Sequence, residues 1–430
     1  MAHSVFSELT VSSLPWPNMP GPGNTGCRLP ESSLKSPYGQ PWWEPDDKTP
    51  SSAYFGTILS STPSGTIITG YKFQHVSIAS GVSGLTFRDC VFDANMYGNY
   101  RYSPSGDGGN TYITGATLID FDRDYGKPPR NITLDYCTLR RGYRATRCTN
   151  NYVGLFKTIK NCAVTDMHSH WYAIFDNFHH ETSAVIKDNW FARLGRQDTG
   201  YSSAKSLIDI SKNYGGHCGS GFIFSGNYVD TGSDWLYRSD NKAYTETNTY
   251  APQWDPCAED CCPEASHVPV GAYALNSIFY DVADYYSNTY LCNIDVSGNW
   301  FQGWSDGASA TSDSAFIKYG TWNSAGTQNR TWRFGQNKFG RDFTGDFSAI
   351  SNNGIVNGSV SVDFSQQEWM DGGTLTLASE WAGAPGTTGQ SFSDYSRYLC
   401  AKVYYTCDTD LWDWAKEADY FCNGNDCPSL

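Results

Sequence analysis

Apolar and polar residues alternate in short bursts along GTIITGYKFQHVSIASGVSGLTFRDCVF, residues 65–92, where Val76/Ile78 and Leu85/Phe87 are set apart by Gly81 and Gly84. A period of two puts residues i and i+2 on the same side of a strand, and these bursts are too short for helices. One arrangement recurs: apolar-x-apolar-x-x-(Cys or Asn)-x-apolar. It reads LTFRDCVF (Leu85, Phe87, Cys90, Phe92), ITLDYCTL (Ile132, Leu134, Cys137, Leu139) and KTIKNCAV (Ile159, Cys162, Val164, with Lys157 breaking the first position). It continues as AVIKDNWF (Ala184, Ile186, Asn189, Phe191), FIFSGNYV (Phe222, Phe224, Asn227, Val229), IDVSGNWF (Ile294, Val296, Asn299, Phe301) and WRFGQNKF (Trp332, Phe334, Asn337, Phe339). These seven copies are irregularly spaced, often by a few tens of residues, which is the range of a solenoid repeat.

The two-residue step before Cys or Asn reads as a tight bend between consecutive strands. Asp89, Asn161, Asp188, Gly226 and Gly298 suit its first place, because such residues tolerate left-handed backbone angles. The pattern predicts an all-β fold: a parallel β-helix of three short strands per turn, with equivalent inward positions stacked. Asn at a stacked bend can bond the backbone of the next turn and form a ladder with its equivalents, and Cys is a small, readily buried substitute. The predicted structural ladder is Cys90, Cys137, Cys162, Asn189, Asn227, Asn299 and Asn337, with the three cysteines as interior thiols. Alternation with Asn-Gly turns also fits an antiparallel sandwich, but a sandwich has no reason to repeat a bend residue at a fixed offset.

Three regions follow. Residues 1–64 are Pro-rich and irregular and read as an attachment segment, with a short docking strand or helix at the extreme N-terminus. Residues 65–365 hold the repeats, interrupted by loops at 95–112, 234–267 and 305–314. Loops this long are functional or disordered, and their many Tyr and Trp argue against disorder. Residues 366–430 lose the period and read as a cap, with helical spacing over 410–422 at Leu411, Trp414/Ala415, Ala418 and Phe421/Cys422. A cap would cover the unpaired edge of the last turn.

The formal net charge of −14, with no basic run, argues against nucleic acid and anionic membranes as partners. No stretch has the roughly 20 apolar residues of a membrane span. The opening MAHSVFSELTVSSLPWP has neither the basic flank nor the apolar core of a secretory signal. Yet 14 cysteines are unusual for a purely cytosolic life. Synthesis in a cytoplasm followed by release with a particle reconciles the two. Outside the repeats lie Cys257, Cys261 and Cys262, then Cys400/Cys407 and Cys422/Cys427. Disulfides are the favoured reading there, over a zinc site whose spacing is weak.

The order NTG (24–26), GTIITGYKFQHVSI (65–78), SGLTFRDCVF (83–92) resembles the right-handed β-helix minor tail proteins of phages infecting actinobacteria. In that family a Pro/Asn-rich opening leads into a GTVIDG-type first rung and then an NVTIRNS-type second. ITLDYCTL and 162–177 look like later rungs. The resemblance implies a virion tail spike or fibre subunit whose partners are other tail proteins and two further copies in a homotrimer. It would be extracellular after release and would meet the host envelope. The aromatic richness and the Cys-rich long loop depart from the family pattern.

Two segments concentrate polar chemistry. In DMHSHWYAIFDNFHHE (166–181), His168 and His170 share a strand face, with His179, His180 and Glu181 one bend later. This cluster could bind a metal, move protons or contact a glycan. In LIDFDRDYG (118–126), Asp120, Asp122 and Asp124 alternate on one face. They read as a solvated face, a Ca²⁺ site, or (Asp120 and Asp122) the paired acids of glycoside hydrolysis. No other cofactor is expected, and no phosphate loop, zinc-protease motif or nucleophile elbow is present.

Exposed aromatics beside Asp and Asn match sugar CH faces and hydroxyl edges. The expected ligand-binding set is His168, His170, Trp171, Tyr172, Asp176, His179, Trp254, Tyr285 and Tyr286. The expected function is display of loops to host surface polysaccharide. A polysaccharide-degrading hydrolase or lyase, or a purely architectural tail part, are the other readings, because fold alone does not decide between them.

Overall fold

The computed structural model describes residues 19–21, 24–45, 54–94, 117–121, 129–140, 142, 144–147, 156–168, 173–175, 184–196, 206–209, 222–230, 277–281, 294–302, 317–319, 330–339, 360–363 and 367–369. These form an all-β arrangement of three nine-stranded sheets. Sheet I contains Ile67–Thr69, Thr86–Arg88, Ile132–Asp135, Phe156–Lys160, Ala184–Lys187, Phe222–Ser225, Ile294–Ser297, Arg330–Gly335 and Val360–Asp363. Sheet II contains Lys72–Phe73, Val91–Asp93, Thr138–Arg140, Ala163–His168, Trp190–Arg196, Tyr228–Asp230, Trp300–Gln302, Lys338–Phe339 and Glu368–Trp369. Sheet III begins with Trp43–Pro45 and Phe55–Ile58, which pair antiparallel, and continues in parallel from His75–Ile78 through Thr117–Phe121 and Arg144–Arg147 to Ile317–Tyr319. From Ile67 to Phe339 the described strands visit sheets I, II and III in a fixed cycle, so each full circuit adds one strand to each sheet. We call one I–II pair a tier.

Register across sheet I is unbroken at the third motif position. Ile68 lies opposite Phe87, then Leu134, Ile159, Ile186, Phe224, Val296 and Phe334 in turn. All eight are buried. Strands about 4.8 Å apart bring equivalent side chains into contact from tier to tier, so the core is a set of columns. Aromatic rings use this spacing well: Phe73 stacks on its register partner Phe92 with centroids 5.2 Å apart, and Phe224 of sheet I stacks on Phe301 of sheet II at 6.4 Å. Such offset contacts between large apolar rings are favourable beyond their buried area.

The corner between sheets I and II is the most regular feature of the chain. In eight tiers it has two residues: Gly70–Tyr71, Asp89–Cys90, Tyr136–Cys137, Asn161–Cys162, Asp188–Asn189, Gly226–Asn227, Gly298–Asn299 and Gln336–Asn337. The first residue of each pair has a positive φ, between 50° and 75°. Asp89, Asn161, Asp188, Gly226 and Gly298 are the residues the sequence suggests for this conformation; Tyr136 and Gln336 are not. Their left-handed backbone is imposed by the stack, since the N–H of each bend residue points along it. Asp89 N–H donates to the Asp135 carbonyl, Tyr136 to Lys160, Asp188 to Ser225 and Gly226 to Ser297.

The paired strands reach from Trp43 to Trp369, past both ends of the 65–365 span. At the far end VDFSQQEW (362–369) is a further copy of the motif with Gln367 in the Cys/Asn place, and at the near end TIITGYKF (66–73) carries Tyr71 there.

Candidate functional site

Each corner's second residue points inward, and these residues form one line. Cys90, Cys137, Cys162, Asn189, Asn227, Asn299 and Asn337 are all fully buried, with Gln367 at the end of the line. Three of its Asn side chains, Asn227, Asn299 and Asn337, are used completely. Asn227 Oδ1 accepts from the backbone N–H of Asn189 (3.0 Å) and from Asn189 Nδ2 (2.9 Å). Asn227 Nδ2 donates to the Ile186 carbonyl (3.0 Å) and to Asn299 Oδ1 (3.1 Å). Asn299 repeats the pattern on Phe224 and Asn337, and Asn337 on Val296 and Gln367. Gln367 Nε2 bonds the Phe334 carbonyl. On Asn227, Asn299 and Asn337 two donors and two acceptor sites are satisfied, which is what a buried amide requires.

The cysteines carry the same line onward with weaker chemistry. The Cys90 and Cys137 thiols donate to the carbonyls of Ile68 and Phe87, both at 3.4 Å. Cys162 Sγ accepts from the Cys137 N–H at 3.4 Å, and the Cys162 N–H donates to Asn189 Oδ1 at 2.8 Å. Cys27, Cys90, Cys137 and Cys162 are free thiols. Burial pushes the Cys90 and Cys137 thiols well above the ordinary thiol range.

Outside this corner lies residues 24–35, a strap running along the tiers. Gly26 N–H donates to the Asn161 carbonyl (2.8 Å), and Cys27 N–H donates to Thr138 Oγ1 (2.9 Å). Arg28 grips Asp89 with two charge-assisted bonds of 2.7 and 2.6 Å and stacks over the Tyr136 ring at 3.9 Å. Glu31 bridges Lys72 (2.6 Å) and Arg140 (2.9 Å), and Arg140 Nε holds the fully buried Asp93 at 2.8 Å. Lys35 closes the strap: its N–H donates to the Gly70 carbonyl and its carbonyl accepts from Lys72. Gly26 has φ +80°, and a Cβ there would lie 2.7 Å from Thr138 Oγ1, so only glycine fits this close crossing. At its start Asn24 ties a turn, with Oδ1 accepting from Gly21 N–H and Nδ2 donating to the Met19 carbonyl.

The outer face of sheet I is a polar grid. Thr86, Thr133 and Thr158 stand in register, flanked by Arg88, Asp135 and Lys160. Asp135 accepts from Arg88 Nε at 3.2 Å and lies 3.5 Å from Lys160 Nζ, so the charges compensate one another along the stack. Among the described residues, Ile67 and Ile223 are large apolar side chains exposed on this face, 56% and 37% accessible.

Of the sequence-predicted ligand and catalytic residues, Asp120 and the backbone of His168 lie among the described residues. Asp120 is partly exposed in sheet III; its Oδ1 accepts from the Phe121 N–H at 2.9 Å, and Ser77 and Arg147 flank it in register. Asp122 and Asp124 lie outside the described residues, as do His170, Trp171, Tyr172, Asp176, His179, His180, Glu181, Trp254, Tyr285 and Tyr286. The backbone of His168 ends the sheet II strand Ala163–His168, beside a register shift opposite Arg196. The cysteines from Cys257 to Cys427 and the 410–422 segment also lie outside. Among the described residues no group of three or more His, Cys, Asp or Glu is placed to hold a metal ion, and no helix is long and apolar enough to cross a membrane.

Sequence reasoning missed His75, which is 9% accessible with Nδ1 donating to the Thr117 carbonyl at 2.6 Å, a packed imidazole between neighbouring strands of sheet III. It also missed the strap, whose ionic contacts join residues far apart in sequence. No protein-family model, curated protein or solved structure matches this chain.

Proposed function

We propose that the three sheets are the faces of a right-handed parallel β-helix, and that the chain is a virion tail spike or fibre subunit, homotrimeric, displaying loops to host cell-surface glycans. The observation that carries this reading is the contrast between corners. The I–II corner holds two residues in eight tiers, whereas long insertions such as 95–116, 231–276 and 303–316 fall between sheets II and III. A spine made regular by a saturated amide ladder, with every long insertion elsewhere, suits a stiff carrier of variable loops. The resemblance of residues 24–26 and 65–92 to phage minor tail proteins points the same way. Several copies would raise weak sugar contacts to useful avidity.

The test is co-sedimentation of the intact protein with purified actinobacterial cell-envelope polysaccharide, with reducing ends and unsaturated products assayed in the same samples. Retention without new products, lost when 234–267 is replaced by a short Gly/Ser linker, is the expected result. New reducing ends or unsaturated sugars would assign a hydrolase or lyase instead, and failure to co-sediment would overturn glycan display.

A further inference from the structure

The sequence contains no run of basic residues and carries a formal net charge of −14, yet the stacking of tiers builds a basic strip. On the outer face of sheet I, Arg88, Asp135, Lys160 and Lys187 hold one register position in successive tiers. A strand spacing of about 4.8 Å sets them in a single short row. The carboxylate of this row is its least exposed member. Asp135 is 7% accessible, against 42% for Arg88, 34% for Lys160 and 46% for Lys187. It accepts from Arg88 Nε at 3.2 Å and lies 3.5 Å from Lys160 Nζ, so one shielded negative charge is shared between two cations. Lys187 has only the half-exposed Asp188 beside it, at 3.6 Å. Lys157, exposed at the register shift between Phe156 and Thr158, adds a further ammonium to the same face. Solvent therefore meets mostly positive charge along these tiers.

A second row runs beside the first. Thr86, Thr133 and Thr158 stand in register two residues before the charged positions, each part-exposed. Parallel rows of hydroxyls and cations on one face suit an extended chain that itself carries hydroxyls and repeated negative charge. We infer, building on the glycan reading above, that this strip holds a linear acidic polysaccharide. Its carboxylates lie beside Arg88, Lys160 and Lys187, and its hydroxyls bond the threonine row. Charge complementarity selects this occupant over a neutral glycan. Nucleic acid fits less well, because its closely spaced phosphates meet strong repulsion from the acidic remainder of the chain. The same repulsion confines an acidic glycan to the strip, along the direction in which the tiers stack.

The experiment is titration of the full chain with polygalacturonate, beside neutral dextran and a single-stranded DNA oligonucleotide, at about 50 and about 200 mM salt. Polygalacturonate should bind, dextran should not, and the affinity should fall severalfold at the higher salt. Lys160→Gln combined with Lys187→Gln should weaken binding severalfold with an unchanged far-ultraviolet spectrum, since Arg88 still holds Asp135. Lys157→Gln removes a charge that makes no bond to a described residue, and a smaller loss is expected there even if the double variant fails to fold. No binding of polygalacturonate at the lower salt, equal binding of dextran, or tighter binding of the oligonucleotide would overturn the assignment. So would an affinity indifferent to these substitutions. Replacing 234–267 should leave polygalacturonate binding intact, so failure here is distinct from failure of loop-dependent co-sedimentation.

Discussion

Asn189 and Asn227, separated by 38 residues, are joined by a 2.9 Å bond from Nδ2 of the first to Oδ1 of the second, and the same oxygen accepts the Asn189 backbone N–H at 3.0 Å. One side chain thus ties together the tiers on either side of its own. Replacing Asn227 with Ala leaves the Asn189 N–H and the Ile186 carbonyl without these partners in a water-free place. With each orphaned group worth about 1–3 kcal/mol, the expected loss is on the order of 3 kcal/mol, read as a lower midpoint of guanidinium unfolding. Asn227→Asp is at least as damaging at neutral pH, because a carboxylate cannot donate to the Ile186 carbonyl, and acidification recovers part of the loss.

The cysteines occupy amide positions, so the two residue types are interchangeable in one direction. Cys162→Asn retains the acceptor for the Cys137 N–H and changes stability by less than about 1.5 kcal/mol, as a near volume-conserving swap.

The thiols also set an alkaline limit. Burial holds Cys27 up to about 11, and Cys90 and Cys137 are raised as well, while an unfolded chain ionises its thiols near the ordinary value of about 8.5. The folded state therefore keeps protons that the unfolded state releases. Stability is full below that ordinary value and falls as pH rises through and beyond it under reducing conditions. Iodoacetamide labelling at pH 8 with peptide mapping should leave Cys90, Cys137 and Cys162 unmodified until denaturant is added.

Acid acts on the strap. The Arg28 guanidinium bonded to Asp89 holds that carboxyl below its ordinary value, so the clasp is intact above an unfolded pKa near 4 and is lost as pH falls through the lower folded value. Arg28 is half-exposed, so salt weakens the pair too. Asp89→Asn keeps a residue that accepts the positive φ of this bend while removing the charge. Hydrogen exchange at residues 27–35 should rise in this variant at neutral pH and in the unaltered chain only in acid.

The bend at Gly226 gives a steric test. Its φ is +64°, and a Cβ there would lie 2.5 Å from Asp188 Oδ1. Gly226→Ala combines left-handed strain with that clash and lowers stability by about 1–2 kcal/mol in a denaturant titration.

Much of this scaffold is legible in the sequence because the motif couples two periods: alternation marks inward positions, and the fixed offset to Cys or Asn marks the corner. Tyr71 and Gln367 escape the pattern because it admits only Cys and Asn, although the apolar spacing is intact at 362–369 and is broken at 66–73 only by Thr66 in the first position. Tyr136 and Gln336 escape because residue type argues against a left-handed backbone; at Tyr136 the bond from its N–H to the Lys160 carbonyl of the adjoining tier holds it. The strap is invisible for another reason. A Pro- and Gly-rich segment has no period, and pairs such as Arg28–Asp89 and Glu31–Arg140 exist only once the tiers have brought their partners to one edge. The His168–Glu181 and Asp120–Asp124 clusters stand out by residue type, but residue type alone does not bring side chains together, and Asp120 is the member with a described environment.

The central claim is that the corner residues form one continuous column, and a side-chain-resolution density map of the intact protein tests it most directly. The account predicts Asn227 and Asn299, separated by 72 residues, with Nδ2 and Oδ1 in hydrogen-bond contact, and Asn189 and Asn337 in line on either side. A map placing these amides in solvent or on separate sheets would contradict it.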